Sequence, residues 1–224
     1  MNSGEPVVPA ALRDRVSADL RPVRPLADPW KRALLLAPVA LVVVAAVHAR
    51  YGTRGDLGGV LLWGASLLQM AVGLGIVTVA LRGVVPGRAL PLRAEAMFFV
   101  LGLAVAIGVT YVAWHASGTI APEALRYRFW KTCFRGTIEA GLPPLVVIVA
   151  LAARGVMWRP GLVGALAGLS AGLIADASWR TFCEVAEPAH VLTAHFAGVV
   201  VLAVLGAGVG RVLGWSVAAD SRRR

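Results

Sequence analysis

Residues 57–81 read LGGVLLWGASLLQMAVGLGIVTVAL, 25 residues without a charged side chain. A helix needs about 20 apolar residues to cross about 30 Å of hydrocarbon, and it satisfies its own backbone groups while doing so. Five more stretches of this kind surround it: Ala33 to His48 before, then Ala94 to His115, Thr132 to Ala153, Gly161 to Trp179 and His190 to Trp215. Composition agrees, since 58% of the 224 residues are hydrophobic, 15% are charged and the mean hydropathy is +0.74. One globular core of this length could not bury so much apolar surface. The expected fold class is all-α: a polytopic membrane protein whose six transmembrane helices form one bundle over residues 33–216. A leader, residues 1–32, precedes the bundle, and a basic tail, residues 217–224, follows it. The first stretch is the shortest and ends in Val47-His48-Ala49, a small-residue pattern of the cleavage-site type. The leader ahead of it, with six basic residues, is far longer than the opening of a signal peptide, so the reading is a retained helix.

Orientation follows from the 20 Arg and 2 Lys, because short cytoplasmic loops carry the basic excess. With the N-terminus inside, fifteen of the 22 lie on inner segments, among them Arg82, Arg88, Arg93, Arg154, Arg159 and Arg211. Seven lie outside: Arg50, Arg54, Arg126, Arg128, Lys131, Arg135 and Arg180. Both termini are therefore expected in the cytoplasm. The net charge of +10 reads as topology and attraction to anionic lipid, with no direct nucleic-acid partner.

That orientation puts the rare reactive side chains on the outer side. Cys133 opens the fourth stretch, Cys183 precedes the sixth, and His190 and His195 begin the sixth at i and i+5. His48 and His115 end the first and third stretches on the same side. Two thiols 50 residues apart can form a disulfide in an oxidising compartment, and Cys and His can hold a soft or borderline metal. No C-x-x-C spacing is present, so the metal is left unknown and no cofactor is expected; the bland alternative is small buried thiols and imidazoles in the headgroup zone.

Two acids fall inside apolar stretches, Glu139 and Asp176. Each has an arginine four residues away, Arg135 and Arg180, so ion pairs satisfied near the headgroups are the plainer reading than an ion pathway. Gly164, Gly168 and Gly172, and Gly206, Gly210 and Gly214, make small-residue faces for close helix packing. Pro143-Pro144 is expected to kink or break the fourth helix. Trp30, Trp114, Trp130, Trp158, Trp179 and Trp215 stand near helix ends as an interfacial belt. No catalytic residue is expected, since no phosphate-cradling or H-E-x-x-H motif occurs; Gly64-Ala65-Ser66 and Gly168-Leu169-Ser170 fall short of G-x-S-x-G.

In the leader, Pro9 suits the start of a helix, and Leu12, Val16 and Leu20 recur at i, i+4 and i+8 as one apolar stripe. Arg13, Asp14, Arg15, Ser17 and Asp19 make the polar face of this short amphipathic helix. A helix of about 11 residues is marginal alone in water. It is read as ordering in a protein groove, with the lipid surface as the alternative. Pro22, Pro25 and Pro29 then impose an extended tether, and Trp30-Lys31-Arg32 anchors it at the inner interface.

The run Ala18-Asp19-Leu20-Arg21-Pro22-Val23-Arg24-Pro25-Leu26, followed by Pro29-Trp30-Lys31-Arg32-Ala33-Leu34-Leu35, resembles the opening of NrsF-type integral-membrane anti-sigma factors. Cys133, Pro143-Pro144, Arg154-Gly155, Arg159-Pro160, Gly164, Gly168, Ala171-Gly172, Cys183 and His190-Val191-Leu192 stand in the order of the same pattern. Leu57 to His115 offers no matching motif. The resemblance implies that the leader binds an extracytoplasmic-function sigma factor, holds it at the membrane and releases it on an envelope, metal or oxidative signal, or on light in the related CarR type of carotenoid regulation. Within that frame the apolar stripe Leu12, Val16 and Leu20 is expected to enter the sigma-factor groove with Arg13, Arg15 and Asp19 fixing register, and the signal to enter through the outward Cys133, Cys183, His190 and His195. The alternatives are a transporter or metal-handling protein using His48, His115, His190 and His195, and a membrane thiol oxidoreductase.

Overall fold

The computed structural model describes residues 9–19, 26–117 and 123–221. Six helices are long and apolar enough to cross a membrane: Pro29–Tyr51, Gly59–Arg82, Leu92–Ser117, Phe129–Ala152, Pro160–Arg180 and Pro188–Gly214, hereafter the first to sixth spans. No strand occurs among the described residues. A separate leader helix, Ala10–Asp19, precedes them, and the Pro9 carbonyl accepts the Leu12 and Arg13 amides, so the proline stands just before the first turn. Leu20, most of the proline tether and residues 222–224 of the tail lie outside the described residues.

The first span begins earlier than its apolar run. Pro29 starts a turn that takes in Lys31 and Arg32, Leu34–Leu36 tighten into a 3-10 turn, and Pro38 falls in the first turn of Ala37–Tyr51. A proline there removes no needed hydrogen bond. Arg32 is buried rather than anchored at a surface, and its guanidinium donates to the Leu151 carbonyl of the fourth span. The fourth span stays one helix through Pro143 and Pro144, so the prolines do not break it.

The fifth span is the axis of the bundle. Of its apolar window 83% is buried, against 28–39% for the other five. Its glycines explain this, since a Cβ at Gly164 or Gly168 would strike the backbone carbonyl of Gly206 or Leu202, and one at Gly172 would lie 2.9 Å from the Val199 Cα. Lipid supplies no hydrophobic drive between helices, so such backbone approach is what holds the fifth and sixth spans together. The obstacle at Gly168 is backbone and cannot rotate away. Gly168→Val is therefore expected to destabilise the detergent-solubilised protein by about 3 kcal/mol, the upper part of the usual overpacking range. An unfolding midpoint equal to wild type would contradict this packing.

The connections sort the molecule into two ends. At one, the Val156 amide donates to the Val84 carbonyl (3.0 Å), Arg159 pairs with Glu95 (2.8 Å) and Arg88 with Asp28 (3.5 Å), so the leader side gathers the second and fourth connections. At the other, the Arg54 amide donates to the Thr181 carbonyl (2.9 Å), and the Arg54 side chain forks onto Asp56 and reaches the Glu184 carbonyl. Cys183 belongs to this second end, remote from the leader.

Candidate functional site

Cys133 sits near the start of the fourth span, Cys183 in the connection after the fifth, and His190 and His195 in the opening turns of the sixth. All four are buried, between 0% and 4% exposed. The two Sγ atoms are 3.4 Å apart, and His190 Nε2 lies 3.5 Å from Cys183 Sγ. One ligand atom from each of the four side chains falls within 4.8 Å of every other.

The two histidines meet through a local change of helix. Residues i and i+5 point about 140° apart on an α-helix, but Val191–Phe196 is π-helical, and the wider turn returns His195 to the face of His190. Their ring centroids are 5.5 Å apart. Both rings have partners on that face, His190 at Cys183 and His195 at Asp176, which accounts for the wider turn being held.

Asp176 is the centre of a second layer behind the thiols. It is 1% exposed, accepts from Gln69 Nε2 (2.6 Å) and Arg180 Nε (2.8 Å) on one oxygen, and bonds His195 Nδ1 (2.9 Å) on the other. Arg180 Nη2 continues to Thr110 Oγ1 (2.6 Å). Spans two, three, five and six are thus joined through one carboxylate. A carboxylate only accepts, so Nδ1 carries a His195 proton and Nε2 is the ring nitrogen left for the cluster. That Nε2 is buried without a hydrogen-bond partner.

Cys183 lies outside the spans, and the hydrogen bond from the Cys133 thiol holds it well below the ordinary thiol range; burial opposes this and the His190 and His195 imidazoles reinforce it. A thiolate is the form that attacks oxidants and binds metals. A cavity of about 20 Å³, room for one water, touches Cys183, His195, Arg54 and Arg180.

Several expectations change at this site. Asp176 and Arg180 do not form a headgroup ion pair but lie in the bundle interior; Arg135–Glu139 is the exposed pair, at 81% and 59%. Trp179 leaves the interfacial belt, being 3% exposed and packed with Cys133 and Cys183. His48 stacks on Trp63 (5.2 Å) and His115 meets Tyr111 edge-on (4.3 Å), so neither joins the cluster. Gln69 and Thr110 escaped the sequence reading, although a polar side chain within an apolar run was the available signal.

The leader residues stand apart from all of this. Leu12 and Val16 are 52% and 53% exposed, and Arg13 and Arg15 are exposed beside them, so these two members of the stripe are open to a partner. Asp19 closes the helix, and Leu20 is not among the described residues.

Compared with protein families, residues 16–215 match the model described as NrsF, negative regulator of sigma F. The chain belongs to the NrsF family. Neither the curated proteins nor the solved structures compared with it gave a match. The NrsF description names a sigma factor as the partner and negative regulation as the effect. The matched segment takes in the whole thiol–imidazole cluster and, in the leader, Val16, Asp19 and Leu20; Leu12, Arg13 and Arg15 precede it.

Proposed function

We propose that this NrsF protein is an inner-membrane anti-sigma factor, not an enzyme, that holds an extracytoplasmic-function sigma factor on its cytoplasmic leader and lets it go when the thiol–imidazole cluster on the far side receives a signal. The observation that carries this reading is the course of the first span. Its inner end follows the leader. Its outer end packs on the site, with Tyr51 against Trp179 (4.9 Å) and Phe182 (5.0 Å), and Val47 in the same buried group as Cys133 and Cys183.

One flank of the first span is open. A groove of about 590 Å³, lined by Val39, Val43, Val47, Gly136, Ala140 and Trp179, separates it from the fourth span. A change at Cys133 or Cys183 repacks Trp179 and Phe182, shifts Tyr51, and passes down a helix that has room to move. Two arrangements of one element, each favoured by a different state of the site, are the physical content of such coupling. The leader then presents Leu12, Val16 and Leu20 to a sigma-factor groove, with Arg13, Arg15 and Asp19 fixing register, while the basic inner face favours anionic lipid.

Replacing both thiols, Cys133→Ser with Cys183→Ser, is expected to leave repression intact and abolish induction, read from a reporter under the sigma-dependent promoter. Induction at the wild-type level would remove the thiols from the signal.

A further inference from the structure

We infer that Cys133, Cys183, His190 and His195 form a tetrahedral site for one zinc-class divalent cation, buried where the fourth, fifth and sixth spans meet. The inference deepens the sensing role proposed above and rests on it only for what the cation is used for, because binding can be measured without a sigma factor.

The donor set is that of a closed structural zinc site, two sulfurs and two imidazole nitrogens with no position left for substrate. Zn–S bonds of about 2.3 Å and Zn–N bonds of about 2.0 Å put tetrahedral ligand atoms about 3.3–3.8 Å apart. The Cys133–Cys183 separation of 3.4 Å and the Cys183–His190 separation of 3.5 Å already lie in that range. The widest separation, 4.8 Å, closes with small side-chain rotations.

A second, independent observation points the same way. His195 Nε2 is fully buried, has no hydrogen-bond partner, and belongs to a ring whose other nitrogen is held by Asp176 at 2.9 Å. Unsatisfied buried nitrogen is costly, and a carboxylate behind a histidine is the usual support of a metal-binding imidazole, fixing its tautomer and raising its basicity. Asp176 is itself fixed by Gln69 and Arg180, so the imidazole is aimed before any cation arrives.

The charges balance. With both sulfurs bound as thiolates and both imidazoles neutral, a dication makes a neutral centre, while Asp176 is offset by Arg180. Soft sulfur and borderline nitrogen select zinc and its heavier congener cadmium over magnesium or calcium, which prefer oxygen.

The test uses full-length protein in detergent, purified with a non-thiol reductant and without chelator. Metal analysis is expected to give one zinc per chain, and exchange with cobalt(II) the intense visible bands of a tetrahedral ion together with thiolate charge transfer. Both are lost in Cys133→Ser with Cys183→Ser and kept in His48→Gln, which lies outside the cluster. His190→Cys preserves four ligands and keeps zinc, so loss of metal is separable from loss of fold. Asp176→Asn, a positioning change, weakens zinc by about tenfold to a hundredfold. Wild-type protein with neither zinc nor a tetrahedral cobalt spectrum overturns the site, as does zinc retained by the double serine variant. If sigma is still captured in that case, the site has failed and the anti-sigma reading stands.

Discussion

Asp176→Ala is expected to destabilise the protein by about 3–5 kcal/mol, the range found when one partner of a buried ion pair is removed. The cause is what remains behind. Arg180, 9% exposed, keeps Thr110 but loses its counter-charge, His195 Nδ1 loses its acceptor, and Gln69 keeps only the Leu173 carbonyl (3.2 Å). Asp176→Asn keeps the volume and one carbonyl acceptor, so its cost should be clearly smaller. Unfolding of the detergent-solubilised variants, followed by helical circular dichroism, gives both numbers. An alanine variant as stable as wild type would mean that Asp176 does not organise the spans joined through it and Arg180.

The second large effect is expected at the other end of the molecule. Leu12→Ala, Val16→Ala and Leu20→Ala together should release the sigma factor and switch its genes on without any signal. Truncating one anchor at a buried contact costs about 2 kcal/mol, about thirtyfold in affinity. The three together, even well short of additivity, weaken capture by about a thousandfold. The substitutions should not disturb the bundle, because Leu12 and Val16 are half exposed on a helix separate from the spans. Full repression by this variant would place the sigma-binding surface elsewhere.

The bundle was legible because its signals are local. A run such as residues 57–81 states its own solvent, and the spaced glycines of the fifth and sixth spans state that their backbones touch. Boundaries were less so, since Pro29 to Arg32 looks like an interfacial anchor, whereas it is helical and Arg32 reaches the Leu151 carbonyl, 119 residues away. The site was half legible. Four scarce side chains on one side of the membrane could be read, but His190 and His195 at i and i+5 fall on different faces of an α-helix, and nothing local announces the π-helical turn that reunites them. Asp176 was misjudged for a similar reason. Its partner four residues on, Arg180, suggested a self-contained pair, whereas Gln69 lies 107 residues away.

The central claim is that the leader holds a sigma factor at the membrane, and capture tests it most directly. Full-length protein in detergent, immobilised and exposed to lysate of the source bacterium, is expected to retain a sigma factor identified by mass spectrometry, and the Leu12, Val16, Leu20 triple-alanine variant is expected to retain none. Wild-type protein that captures no sigma factor, or a triple variant that captures as much as wild type, would contradict the account.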